Sequence, residues 1–342
     1  MDEQRRTILI TAHFEPQWQQ RVQQLAPDYQ VVLNTPANPQ ELSEDVLRKV
    51  EIMYAFGWNL PEPEQVPHLR WVQLYSAGAN QVMSSRLYRE TDVLFTTASG
   101  VHAVAIAEYV LMVTLAWFHR LPTLFVWQQQ HLWPRSAQRG QELSVQTLRG
   151  KTIGIVGYGS IGREVARQAK VYGMRVLAMQ RGDDHRDTGF IFPDIGDPEG
   201  ILPDHYYPVG QLHAMLAECD IVVASVPLTA ETRAMFNAEA FKAMKPEAFF
   251  INIARGDVVD EEALVQALGE KWIAGAALDV FHQEPLPEDS PLWELPNVIL
   301  SPHITGVFAE YNQTAAQIFM ENLQRYLNGE SLYNLVDRTR GY

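Results

Sequence analysis

The segment KTIGIVGYGSIGREVA, residues 151–166, narrows the fold more than any other stretch of this 342-residue chain. A short apolar run passes directly into Gly157, Gly159 and Gly162 and then into a helical pattern. The first glycine permits a tight turn, the second lets a pyrophosphate approach the backbone, and the third lets helix and strand pack closely. The N-terminus of the helix that follows faces an anion with unpaired N–H groups. The segment predicts a dinucleotide-binding turn, with Tyr158, Ser160 and Ile161 among its residues; a plain strand-to-helix turn is the alternative.

Around it, short β-branched runs alternate with helical patterns, the signature of parallel sheets with crossover helices. One set covers residues 7–11, 30–33, 52–56, 71–75 and 93–97; a second covers 152–156, 175–179, 221–226, 249–253, 274–278 and 298–301. Between them lies a helical stretch over 103–130, followed by a polar loop through Gly150. A last helix is expected over 308–327, stopped by Asn328 and Gly329. The length suits two α/β domains, each able to bury its own core. Residues 183–210 carry four prolines and no period, which predicts an inserted, solvated acidic loop whose spacing matches no calcium motif.

Composition excludes several classes. Lys+Arg 27 against Asp+Glu 41 gives a net charge of -14, which repels nucleic acid and anionic membrane surfaces. Cys219 is the only cysteine, so no internal disulfide forms and a cytoplasmic setting is expected. The N-terminus shows no secretory pattern. The apolar stretch 101–118 is broken by His102 and Glu108 and reads as a buried or subunit-interface helix, not a membrane span. No H-E-x-x-H, cysteine cluster or G-x-S-x-G motif is present, so no metal is expected.

An NAD site usually carries an acid at the end of the strand after the glycine turn, to bind the ribose hydroxyls. Here GMRVLAMQRGDD ends its strand with Gln180 and Arg181. A neutral side chain beside a guanidinium suits a ribose phosphate and favours NADP. The alternative is NAD, with Arg181 in solvent and Asp183 or Asp184 reaching the ribose.

Ligands of open parallel sheets sit beyond the carboxyl ends of the strands, where this chain places Pro227, Arg255, Asp279 and His303. Through INIARGDVVDEEAL, GAALDVFHQEPLP and VILSPHITG, in that order behind the glycine turn, the chain resembles the D-isomer-specific 2-hydroxyacid dehydrogenase family. The Gln-Arg strand end, WFHR, EPLPEDSPLW and the ending VDRTRGY bring it nearest the glyoxylate and hydroxypyruvate reductases. The resemblance implies two Rossmann-like or flavodoxin-like parallel-sheet domains around an active-site cleft. Residues 1–100 plus 306–342 would bind substrate and 101–305 the dinucleotide, and the apolar helix over 103–118 would form a homodimer. NAD-linked oxidation of another D-2-hydroxy acid, or a dinucleotide-sensing corepressor, is the alternative function.

Reducing a small 2-keto acid requires a group to hold its carboxylate, a group to polarise the carbonyl, and an acid to protonate the oxygen. Arg255 offers a planar fork to carboxylate and keto oxygen. His303 offers an imidazole as acid and base, and Glu284 would favour the imidazolium and orient the ring. The resemblance further implies that Asp279 contacts the nicotinamide carboxamide, with a turn-capping aspartate as the alternative. Ala254, Pro227, Thr229 and Thr232 would flank the cofactor. In YSAGANQV, Ser76, Ala77 and Gly78 resemble the substrate loop, whose backbone N–H groups can form a carboxylate nest. Trp58 would wall the substrate pocket or, alternatively, sit in the core.

Overall fold

A computed structural model describes residues 5–38, 40–58 and 60–338, so residues 339–342 of the ending VDRTRGY lie outside the described residues. The chain divides into two compact units. One comprises the N-terminal part up to His102, Thr188–Phe190 and the part from Phe308 onward; the other comprises Ala103–Asp187 and Ile191–Val307.

In the first unit, β1 (Arg6–Ile10), β2 (Tyr29–Leu33), β3 (Val50–Ala55), β4 (Trp71–Leu74) and β5 (Leu94–Thr96) form a parallel sheet in the order β2-β1-β3-β4-β5. Strands β3 and β4 are buried at every position, as strands covered on both faces by crossover helices must be. Helix Tyr311–Leu327 brings Phe319 and Leu323 against Tyr54 and Trp71. Its buried Asn322 donates to Gln73 Oε1 at 2.9 Å, so the polar group inside this layer has a partner. The helix stops at Asn328, with Gly329 at φ +72°, as its sequence predicts.

The second unit carries β6 (Thr152–Val156), β7 (Arg175–Met179), β8 (His205–Tyr207), β9 (Ile221–Ala224), β10 (Phe249–Asn252), β11 (Gly275–Leu278) and β12 (Val298–Leu300). All pair in parallel, in the order β12-β11-β10-β9-β6-β7-β8. The chain leaves β6 toward β7 and later returns on the other side at β9. This reversal opens a crevice at the carboxyl ends of β6 and β9, where such sheets bind ligands.

Three expectations need correction. Residues 183–210 are not a strandless solvated loop: β8 pairs with β7, and Asp197 is only 3% exposed. A three-residue strand is too short to show a period, and an acidic side chain can be buried where hydrogen bonds satisfy it. The helix over 103–130 is two helices, Ala103–Phe118 and Leu121–Gln129, bent by 64° at Arg120, which has φ +57°. Pro122 suits the first turn of a new helix, where its missing N–H costs nothing. Finally, the polar stretch after it contains helix Ser136–Glu142. Among the described residues no single helix is long and apolar enough to cross a membrane.

Candidate active site

Gly157 follows β6 at φ +103°, a region that L side chains rarely adopt, and its N–H donates to Met179 O at 3.0 Å. A Cβ on Gly157 would overlap the Ser225 carbonyl, and one on Gly162 the carbonyl of Gly157. Ser225 Oγ donates to Gly157 O at 2.7 Å, a support that the sequence reading missed. A Cβ on Gly159 would meet nothing within 4 Å. Open space thus lies beside the N-terminus of helix Ser160–Val171, where Ser160 and Ile161 form the first turn. Two glycines are needed for packing and one faces space, which is the arrangement a pyrophosphate requires. The residues therefore fit a dinucleotide. Tyr158 contributes its backbone to this turn, because its buried hydroxyl turns away and donates to Asp197 Oδ2 at 2.7 Å. Burial pushes its phenol up, and the Asp197 carboxylate adds to the shift.

At the end of β7, the Gln180 amide donates to Asp184 O at 3.0 Å and meets His185 Nδ1 at 2.8 Å. The Arg181 guanidinium lies 3.8 Å from Glu231 Oε2, and both side chains are exposed. Asp184 is engaged by Arg186 through its backbone N–H at 3.1 Å and its guanidinium at 3.0 Å. These bonds hold the Asp184 carboxyl down to about 2, chiefly through the Arg186 guanidinium. That carboxylate already has its cation, which disfavours its reaching a ribose. Beyond β9, Thr232 Oγ1 donates to Pro227 O at 2.6 Å and accepts from Thr229 N at 2.8 Å, closing a tight turn over 227–232.

The ends of β10, β11 and β12 carry the ionisable groups. Buried Asn252 shapes the turn after β10: its side chain accepts from Ala254 N at 3.1 Å and donates to Arg255 O at 3.2 Å. Arg255 itself is exposed, with Nη1 donating to Ala254 O at 2.6 Å. Its signal was legible as an asparagine three residues ahead, although the sequence reading gave Asn252 no role. A Cβ on Gly256 would overlap the Phe281 carbonyl, so the Arg255 turn lies directly against the loop that leads to Glu284.

Glu284 accepts from Phe281 N at 3.0 Å through Oε1, and its Oε2 lies 2.7 Å from His303 Nδ1. Burial pushes the Glu284 carboxyl up, but the His303 and Phe281 hydrogen bonds and the charges of His303 and Arg255 outweigh it and leave it below its ordinary value. The structure thus gathers Arg255, Glu284 and His303 at one edge of the sheet.

Asp279 is almost fully buried, and its bonds favour the turn-capping alternative. Its Oδ1 accepts from Ser301 Oγ at 2.6 Å and Ile304 N at 3.0 Å, and its Oδ2 from Thr305 N at 3.1 Å and Oγ1 at 2.6 Å. About four lone-pair sites serve a carboxylate, and all are taken. Asp279 therefore caps the turn that carries His303, whose φ is +52° and whose N–H donates to Asp279 O at 2.9 Å. A contact with a nicotinamide carboxamide would have to displace one of these bonds. Tyr109 extends the chain, its hydroxyl lying 2.7 Å from Ser301 Oγ.

In the first unit, Ser76 Oγ donates to Gly78 O at 2.8 Å, and the Gln81 amide joins Gly78 O to Phe56 O at 3.2 and 3.0 Å. These bonds fix the bend over 76–78, and among the described residues no acceptor takes the N–H of Ala77 or Gly78. Gln81 is a further residue the sequence reading missed. Trp58 is 67% exposed, so the core reading of it is wrong. Among the described residues no three His, Cys, Asp or Glu side chains converge as metal ligands do.

A parallel sheet with a glycine turn at its reversal point, followed by Arg, Glu and His at neighbouring strand ends, defines a dinucleotide-dependent oxidoreductase. The family model for the NAD binding domain of the D-isomer specific 2-hydroxyacid dehydrogenases matches residues 111–305. The chain is 35% identical over 278 residues to a glyoxylate reductase of Korarchaeum cryptofilum, covering 80% of this chain and 78% of that one. It is 37% identical over 307 residues to a glyoxylate reductase of Thermococcus onnurineus, covering 87% of each. A D-isomer specific 2-hydroxyacid dehydrogenase of Xanthobacter autotrophicus, solved in complex with NADPH and MES, superposes with a TM-score of 0.75 at 29% identity, covering 98% of this chain and 99% of that one. The chain belongs to the D-isomer specific 2-hydroxyacid dehydrogenase family and is an oxidoreductase that uses a nicotinamide cofactor.

Proposed function

We propose that the protein reduces a small 2-keto acid, glyoxylate or hydroxypyruvate, with NADPH. The observation that carries this reading is the His303–Glu284 pair at 2.7 Å within the electrostatic reach of Arg255, at the sheet edge that also holds the glycine turn. The relatives named glyoxylate reductase support the substrate class, and Gln180 with Arg181 supports the phosphorylated cofactor.

When bound, the nicotinamide supplies the hydride. Arg255 holds the substrate carboxylate and keto oxygen with its planar fork. Glu284 occupies His303 Nδ1, which leaves Nε2 to give a proton to that oxygen, and the carboxylate stabilises the imidazolium in the meantime. The free N–H groups of Ala77 and Gly78 are suited to a carboxylate. Trp58, exposed, is available to a substrate side chain. The tight turn at Pro227, Thr229 and Thr232, with Ala254, flanks the cofactor.

A panel of 2-keto acids run with NADPH and NADH in parallel tests the proposal. Turnover of glyoxylate or hydroxypyruvate, faster with NADPH, is expected. Cofactor binding without turnover of any acid in the panel would overturn the catalytic reading and favour a dinucleotide-sensing corepressor. We further propose a cytoplasmic homodimer: Phe125, Val126 and Trp133 are 55%, 49% and 86% exposed along and just beyond helix Leu121–Gln129, an apolar strip suited to a second copy. Light scattering showing a monomer would remove that part.

A further inference from the structure

The inserted segment has no role in the reaction above, yet its bonds converge on the glycine turn. Asp197 accepts from Tyr158 Oη at 2.7 Å, and from Ile201 N and Leu202 N at 3.0 Å each. Arg163, 4% exposed in the first turns of helix Ser160–Val171, donates to Asp197 O at 2.6 Å and His185 O at 2.7 Å and pairs with Asp187 at 3.3 Å. The next residue, Glu164, accepts from Gly196 N at 2.8 Å. Leu202 and Tyr206 pack on the core beneath the turn. At its other end, His185 stacks on Tyr206 with ring centroids 3.5 Å apart and meets the Gln180 amide.

We propose that residues 185–202 are an internal brace of the dinucleotide site, in which Asp197 positions the glycine turn through Tyr158 and Arg163, and His185 positions Gln180. Tyr158 stands between Gly157, which shapes the turn, and Gly159, which faces open space, so fixing its phenol fixes the backbone N–H groups a pyrophosphate would use. A solvated insertion would bury no arginine against its own carbonyls. The two terminal nitrogens of Arg163 are committed to carbonyls of the segment, and the Asp187 carboxylate 3.3 Å from Nε pairs the buried charge. His185 acts on a different feature, the residue that meets the adenosine ribose. The two ends of the segment should therefore affect different properties.

The inference rests on the assignment of residues 157–162 to the dinucleotide, and the experiment separates the two. Binding of NADPH and NADH is measured by nucleotide fluorescence for the wild type, Asp197→Asn, Tyr158→Phe and His185→Ala, with thermal midpoints recorded alongside. Tyr158→Phe removes one oxygen and serves if Asp197→Asn does not fold. Both changes at the turn should weaken the two cofactors alike, by about threefold to tenfold, at temperatures well below the midpoint; the upper value is about the effect of one hydrogen bond to a charged group. His185→Ala should instead alter the NADPH to NADH ratio by about threefold or more. Wild-type protein that binds neither dinucleotide would overturn the site assignment itself. Wild-type binding with unchanged affinities in Tyr158→Phe and an unchanged ratio in His185→Ala, even if the midpoints fall, would overturn the brace and leave a segment that only stabilises the fold.

Discussion

His303 Nδ1 and Glu284 Oε2 meet at 2.7 Å, and the two residues reach each other from the ends of different strands. The carboxylate holds the ring by Nδ1 and so aims Nε2, and Glu284→Gln keeps the shape of that contact while removing its charge. The kcat for the 2-keto acid should fall by about tenfold or more, and an unchanged kcat would show that the pair does not act in turnover. The depressed Glu284 carboxyl has a consequence for stability too. Its contribution is present above the ordinary carboxylate pKa and is lost as pH falls through its folded value. From pH 7 down to pH 3, a range that runs below the ordinary carboxylate value of about 4.3, the wild type should therefore lose more of its thermal midpoint than Glu284→Gln does.

Arg255→Lys keeps the charge but not the fork. An ammonium cannot place two parallel donors on a carboxylate and a keto oxygen, and charge-assisted hydrogen bonds are worth about 1.5 to 3 kcal/mol. The ratio kcat/KM for the 2-keto acid should drop by about ten- to a hundredfold. Near-native values in steady-state assays would exclude the bidentate role.

Gly256 joins the two halves of this machinery. Because a Cβ there would overlap the Phe281 carbonyl, Gly256→Ala must push the Arg255 turn away from the loop leading to Glu284. Overpacking of this kind costs about 1 to 3 kcal/mol, and the catalytic groups would also shift relative to one another. Both the thermal midpoint and kcat should fall. A variant with a native midpoint and native kcat would mean that the two loops do not need to touch.

Much of this was legible because the signals were local. The glycine turn, the strand runs and the Arg255, Glu284 and His303 motifs lie in contiguous segments with flanking residues that define them. Residues whose importance comes from partners far along the chain were not. Ser225 supports Gly157 from 68 residues away, and Asp197 reaches Tyr158 across 39; no periodicity carries such information. Strand β8 was missed because three residues between Asp204 and Pro208 cannot show alternation, and the helix break at Arg120 because one left-handed residue leaves the apolar composition unchanged. Trp58 illustrates the converse: size and apolarity suggest burial, while its neighbours leave it in solvent.

Asp279 offers a test between two assignments. Its four hydrogen bonds hold the turn on which His303 sits, and Asp279→Asn would set an amide donor against donors on one side. Leaving a buried donor without a partner costs about 1 to 3 kcal/mol. A turn-capping role predicts a lower kcat and a lower thermal midpoint, with the KM for the cofactor close to native. A large rise in that KM with kcat and midpoint preserved would favour direct contact with the nicotinamide.

Cofactor choice follows from the end of β7. An aspartate there would accept hydrogen bonds from free ribose hydroxyls and repel a phosphate, whereas Gln180 does not repel and Arg181 can pair with it. In the structure Arg181 is only 3.8 Å from Glu231, and both side chains are exposed; an exposed pair of this kind is worth at most about 1 kcal/mol, so a phosphate can displace the carboxylate at little cost. Charge-assisted contacts with the phosphate should then give NADPH an advantage of about ten- to a hundredfold in kcat/KM. Gln180→Asp combined with Arg181→Ala should reverse the order, since the double change removes the attraction and adds repulsion. Parallel kinetics with both cofactors decide the matter: equal use of NADH by the wild type, or a ratio untouched by the double change, would remove Arg181 from phosphate recognition. Asp183 would then be the remaining candidate for the ribose, because Asp184 is held by Arg186.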